Sequence, residues 1–321
     1  MLPASPSAWR MRDRGVPTPD EAYALAVSEN RCLEAQARTG YRLFWVSDRM
    51  LGTLDVPAGA DRYAVVGRHD SCDVVLDDER VVSLRHALVR VTSLDDGCPA
   101  LSVLDLQSTE GFELSDGSLQ RSIAASGPIV FRIGAHSLVA LPSGPVPDEL
   151  PRPAVSLGEL FPRRAMAVRI ELEPQSRSSI TILPSSVDFS RCRSVAPSTF
   201  AQRHRPFRSA CPPGDGYEVV LEAAGRRVAV RLSPMDLDHG VLIGRSEKCA
   251  DDGLRSVLTA SISRVHLLLL RENGQCRLYD TASMLGTYSS GRRVRCVTLE
   301  DEGTRVKLAS HNPVTLEWYG L

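Results

Sequence analysis

Paired cysteines, long apolar runs and any excess of one charge are all missing from this 321-residue chain. Its cysteines, Cys32, Cys72, Cys98, Cys192, Cys211, Cys249, Cys276 and Cys296, are scattered with no Cys-x-x-Cys pair. That spacing excludes a recognisable zinc cluster, a thioredoxin motif and a compact disulfide framework, and a reducing compartment, the cytoplasm, is the simplest expectation. No uncharged stretch is long enough to span a bilayer, and the N-terminal arginines lack an apolar signal core, so no membrane association is expected. The 38 basic and 39 acidic residues leave a formal charge of -1, which gives no global reason to expect nucleic acid; any attraction for phosphate must come from local loops. Strong internal helical periodicity is scarce too, which argues against a parallel α/β enzyme.

What is present comes twice. Val66-Gly67-Arg68 is followed by Ser83-Leu84-Arg85-His86 and then by Asp105-Leu106-Gln107-Ser108-Thr109-Glu110-Gly111. Near the C-terminus Ile243-Gly244-Arg245, Ser263-Arg264-Val265-His266 and Asp280-Thr281-Ala282-Ser283-Met284-Leu285-Gly286-Thr287 repeat the order. Three blocks in one order, twice, indicate an internal duplication.

Arg68 and Arg245 each follow a glycine at the end of a β-branched run, where a strand enters a loop. A guanidinium fork and a serine hydroxyl, carried on loops of a rigid scaffold, can grip a phosphate by charge-assisted hydrogen bonds of roughly 1.5–3 kcal/mol each. Gly67, Gly111, Gly244 and Gly286 are expected to be turn glycines. His86 and His266 precede apolar runs and are expected to pin loops by hydrogen bonds rather than to catalyse or bind metal. Asp105 and Asp280 are expected to accept local backbone hydrogen bonds at strand ends.

Both regions resemble forkhead-associated (FHA) domains, whose pattern is Gly-Arg, then Ser-x-x-His, then an Asp-x-x-Ser-x-Asn-Gly-Thr-like turn. The resemblance implies an eleven-stranded β-sandwich that binds phosphothreonine peptides with the loops at one end. By position it implies phosphate contacts from Arg68 and Ser83 in the first copy, with Leu84 at a variable contact and Thr109 beside the ligand. In the second copy the equivalents are Arg245 and Ser263, with Arg264 as an added basic contact and Met284 facing the ligand. His86 and His266 carry over as architectural histidines. Both copies depart from the pattern. The asparagine that holds the bound peptide's backbone is replaced by Glu110 and Leu285, and Phe112 stands where Thr287 keeps the family threonine. Glu110 is an acceptor-only anion near an incoming dianion, and Leu285 removes the polar group altogether.

The expected fold is all-β: two such sandwiches, an N-terminal helix and a partly ordered middle segment. Residues 1–17 are expected to be a flexible leader. Residues 18–40 hold a helix begun by Thr18 as cap, Pro19 in the first turn and Glu21 in the capping-box position, and stopped at Gly40. Residues 41–142 and 216–321 hold the sandwiches, as series of short strands broken by turns such as Ser115-Asp116-Gly117 and Asn273-Gly274. Residues 143–215 form a linker with a short hairpin over Ala167–Leu172 and Ser179–Leu183, followed by arginines among serines and prolines.

The expected function is that of a non-enzymatic adaptor in serine/threonine-kinase signalling that needs no cofactor or metal and binds a phosphothreonine-containing protein or the kinase itself. Linker phosphorylation at Ser194, Ser198 or Thr199 would allow self-association. The alternative is a phosphorylation-independent structural or oligomerisation protein with degenerate pockets. Ser83 with His86, and Ser263 with His266, make no catalytic triad by spacing alone.

Overall fold

The computed structural model describes residues 16–33, 39–48, 50–59, 61–76, 80–93, 97–144, 216–249, 252–272 and 274–321. The leader up to residue 15, the hairpin expected at 167–183, the arginine-rich linker with Ser194, Ser198 and Thr199, and Asn273 lie outside the described residues.

Helix α1 (Pro19–Cys32) starts with the expected capping box: the Thr18 hydroxyl accepts from the Glu21 amide, and the Glu21 carboxylate accepts from the Thr18 amide at 2.9 Å. The helix is shorter than the sequence suggested, because Leu33 leaves it in an extended conformation, and Gly40 opens the first strand rather than closing the helix.

The first sandwich has eleven strands: β1 (Gly40–Val46), β2 (Leu51–Pro57), β3 (Tyr63–Gly67), β4 (Val74–Val75), β5 (Ala87–Ser93), β6 (Pro99–Asp105), β7 (Phe112–Leu114), β8 (Leu119–Gln120), β9 (Ser122–Ala125), β10 (Ile129–Ile133) and β11 (His136–Ser143). They form a six-stranded sheet in the order β2-β1-β11-β10-β7-β8 and a five-stranded sheet in the order β4-β3-β5-β6-β9. Strand β2 is amphipathic only in part, and its antiparallel pairing with β1 is what defines it. Strand β1 is buried on both faces, which explains its nearly continuous apolar run. On one side the Tyr41 hydroxyl crosses to the second sheet and donates to the carbonyls of Ala125 and Gly127, each at 3.1 Å. On the other, Phe44 and Val46 lie with Val130, Val139 and Leu141 under Ala22, Tyr23, Ala26 and Val27 of α1. Arg42 ties the helix down, donating to Asp55 on β2 at 2.6 Å and to the Asn30 side chain at 2.9 Å.

The second sandwich comprises β12 (Tyr217–Ala223), β13 (Arg226–Leu232), β14 (Val241–Ile243), β15 (Leu267–Glu272), β16 (Gln275–Asp280), β17 (Thr287–Ser289), β18 (Arg292–Val294), β19 (Cys296–Leu299), β20 (Thr304–Leu308) and β21 (Val314–Gly320). Its larger sheet runs β13-β12-β21-β20-β17-β18, the same order as in the first copy; its smaller sheet, β14-β15-β16-β19, has no counterpart of β4 among the described residues. The longer segment between Arg245 and Ser263 carries a short helix, α3 (Asp252–Arg255). Another helix, α2 (Pro234–His239), precedes β14 and is clamped by a two-pronged ion pair from Arg271 to Asp238 at 2.7 and 2.6 Å. Trp318 is fully buried and stacks on Tyr217 with ring centroids 4.7 Å apart. The outer face of this larger sheet is charged, with Arg231 near Glu218 at 3.7 Å and Glu317 between Arg227 and Arg305 at 3.3 and 3.6 Å.

Candidate functional site

In each copy the three repeated blocks meet at one end of the sandwich. The Arg68 amide donates to the Ser83 carbonyl at 3.1 Å, and the Arg245 amide to the Ser263 carbonyl at 3.2 Å. The glycines before them act differently from the expectation. Gly67 and Gly244 are not left-handed turn residues; a Cβ on either would strike the main chain passing opposite, the carbonyl of Leu84 or of Arg264. Their lack of a side chain is what allows the arginine and serine loops to approach so closely. Gly111 and Gly286 are true turn glycines, with φ of +73° and +76°.

His86 and His266 are fully buried behind these loops. In both, Nδ1 accepts from the amide of the serine three residues earlier, at 3.2 Å, rather than from its hydroxyl. His86 Nε2 lies 2.6 Å from the Gly111 carbonyl, so Nε2 carries the proton and the ring is neutral. Burial holds its pKa below the ordinary value of 6.5. A ring with both nitrogens committed in this way ties the serine loop to the glycine turn and is not available as a base for Ser83.

Asp105 and Asp280 pin the third block. Asp105 accepts from the Ser108 amide at 3.2 Å and Asp280 from the Ser283 amide at 2.7 Å. Beyond that the copies diverge. In the first, Arg121 donates to Asp105 and to the Ser108 carbonyl, both at 2.8 Å, and to the Thr109 carbonyl at 3.1 Å. In the second, the hydroxyls of Ser283 and Thr287 donate to Asp280, each at 2.6 Å, while Arg293 reaches the Ser283 carbonyl at 3.1 Å. Nothing in the local sequence pointed to Arg121 or Arg293, because each lies beyond the hairpin turn that follows its block.

The outward groups differ as well. Arg68 is exposed and Ser83 half-buried, with Thr109 and Glu110 both exposed beside them. Phe112 is turned into the core, edge-on to Phe131 at 5.7 Å. In the second copy Arg245 and Arg264 are exposed, and Arg245 is oriented by a 2.8 Å bond from Nε to the Ile262 carbonyl, a contact that does not use its terminal nitrogens. The Ser263 hydroxyl accepts from the Met284 amide at 3.2 Å, which occupies a lone pair and leaves its own proton to donate. Met284 is 64 % exposed, whereas Leu285, at the family asparagine's place, packs against the hydrophobic core.

A sequence model described as the FHA domain matches residues 64–130 and 241–309. The chain carries two forkhead-associated domains. FHA domains are phosphothreonine-binding modules. Solved structures similar to single FHA domains of the chain include the FHA-1 domain of Rv1747 from Mycobacterium tuberculosis, 26% identical, covering 32% of this chain and 96% of that one at a TM-score of 0.25. The FHA domain of the CT664 protein from Chlamydia trachomatis is 17% identical over 32% of this chain and 96% of its own, at 0.27. The MEK1 FHA domain in complex with a HOP1 phosphothreonine peptide is 20% identical over 31% and 94%, at 0.25. No curated protein matches the chain. Among the described residues no helix is long and apolar enough to cross a membrane, and no three His, Cys, Asp or Glu side chains gather as a metal site.

Proposed function

We propose that the chain is a non-enzymatic adaptor that captures a phosphothreonine-bearing protein of a serine/threonine-kinase pathway, the kinase or its target, through its second FHA domain. The observation that carries this reading is the paired orientation of Arg245 and Ser263. The guanidinium is aimed by the Ile262 carbonyl and the hydroxyl by the Met284 amide, so both present donors to the same loop end without having to be ordered by the ligand. Arg264, exposed next to Ser263, adds positive charge for a dianion.

Arg68, Ser83 and Thr109 occupy the equivalent positions in the first domain, but the exposed Glu110 carboxylate beside Thr109 opposes a phosphate. This supports a second reading for that domain alone: a phosphorylation-independent module whose contribution is structural. The test is equilibrium binding of the whole chain to matched phosphothreonine, phosphoserine and unmodified peptide libraries. Preference for phosphothreonine, lost in Arg245→Ala, is the expected result; equal binding to modified and unmodified peptides would overturn it.

A further inference from the structure

The second FHA domain lacks the side-chain amide at Leu285, and a loop bonded to Leu285 is longer there than its counterpart in the first domain. In the first domain β10 and β11 are joined by Gly134 and Ala135 alone, since Ile133 pairs directly with His136. In the second, Leu308 pairs with Val314, and five residues, Ala309-Ser310-His311-Asn312-Pro313, bridge β20 and β21.

That loop is bonded to both sides of the candidate site. The Ala309 amide donates to the Gly286 carbonyl at 2.8 Å and the Ser310 amide to the Leu285 carbonyl at 3.2 Å. From the other side, the hydroxyls of Ser261 and Thr259 donate to the Asn312 carbonyl at 3.1 and 3.4 Å. Ser261 stands two residues before Ser263, so Asn312 is anchored to the loop that carries the phosphate-facing hydroxyl. Its backbone is left-handed, with φ of +45°, a conformation asparagine tolerates better than most residues. Its side chain is exposed, and its carboxamide has no hydrogen-bond partner among the described residues.

We infer that Asn312 supplies to the bound peptide's main chain the donor and acceptor that Leu285 cannot. The inference rests on the second domain being the phosphothreonine reader proposed above. A carboxamide offers both a donor and an acceptor, matching the N–H and C=O of an extended peptide, and a peptide group left without such a partner on binding loses affinity. Leu285 is then free to serve the core, and the amide has moved from the block that sequence patterns inspect to a loop they do not.

The test uses the full chain and a fluorescein-labelled peptide pool with a fixed phosphothreonine flanked by random residues. Asn312→Gly removes the carboxamide while keeping the left-handed backbone accessible, and is expected to weaken binding about tenfold, as for loss of hydrogen bonds to a group left unsatisfied. Asn312→Asp, which keeps the shape but not the donor, is expected to weaken it as well. Leu285→Asn introduced into Asn312→Gly is expected to restore most of the loss, which a merely structural role for Asn312 would not allow. Undiminished binding by Asn312→Gly, or a loss that Leu285→Asn leaves in place, would overturn the inference while binding that still depends on Arg245 keeps the function. No phosphate-dependent binding by the unsubstituted chain would overturn both.

Discussion

The two FHA domains share a strand order but hold their recognition loops by different means. In the first, the buried Asp105 is met by the guanidinium of Arg121, which also grips the carbonyls of Ser108 and Thr109. In the second, Asp280 is met by the hydroxyls of Ser283 and Thr287, and the loop is further braced by the five residues between β20 and β21. The outer surfaces diverge in the same way. Helix α1 covers the larger sheet of the first domain with an apolar face, whereas the equivalent sheet of the second carries alternating arginines and glutamates. One scaffold has thus been invested in packing around its loops and sheet, the other in oriented donors at its tip. Duplication keeps the core positions that both copies need and lets the exposed ones separate.

The largest contrast is expected from the two arginines. Arg245→Ala should weaken phosphothreonine-peptide binding by roughly 30- to 100-fold, the worth of one or two charge-assisted hydrogen bonds, measured by fluorescence anisotropy. Arg68→Ala should alter it by no more than about twofold, within the ±0.5 kcal/mol of an ordinary surface change. Equal losses from the two substitutions would erase the division of labour.

The turn glycines give a smaller, structural contrast. Both pay for a Cβ in a left-handed conformation, but at Gly111 that Cβ would also strike the Gln120 carbonyl, part of the main chain, whereas at Gly286 it meets the flexible side chain of Arg293. Gly111→Ala should therefore cost about 3 kcal/mol and Gly286→Ala about 1–2 kcal/mol in chemical denaturation followed by domain-resolved hydrogen exchange. Next in size, Thr18→Ala removes the capping box of α1 and should destabilise that helix by about 1 kcal/mol. Hydrogen exchange should quicken in Pro19–Cys32 and leave the second domain unchanged.

The smallest effect concerns pH. Burial lowers the pKa of His86 in the folded chain, so between that value and 6.5 the unfolded chain holds a proton that the folded one does not. Its stabilising contribution is complete above 6.5 and is lost as the pH falls through the lowered folded value. Hydrogen exchange across β5 to β7 should accelerate as the pH drops below about 6.5, after correction for the intrinsic rate, and His86→Asn should flatten that response.

Much of this architecture could be read in one dimension because its signals are local. The Thr18 capping box, the aspartates that cap the third block and the alternation of short strands each depend on residues a few positions apart, and the structure contains all of them. Gly67 and Gly244 were recognisable as glycines that mattered but not for the right reason, since the carbonyls that exclude a Cβ arrive from a segment more than 15 residues away. Arg121 and Arg293 were invisible for the same cause. Strand β2 is not legible in the sequence, because its partner, β1, defines it more than its own pattern does.

By itself, then, the order of residues determined that there are two copies, that each is a β-sandwich, and that arginine and serine stand where the pattern puts them, because periodicity, turn chemistry and motif spacing are properties of neighbouring residues. Only the tertiary structure decided which arginine is aimed, that Leu285 packs against the core, and that the loop from Ala309 to Pro313 is bonded both to Leu285 and to Ser261. Those outcomes depend on which distant loops share a hydrogen bond, and chain closure, not sequence proximity, brings their donors and acceptors within 3 Å or so of one another.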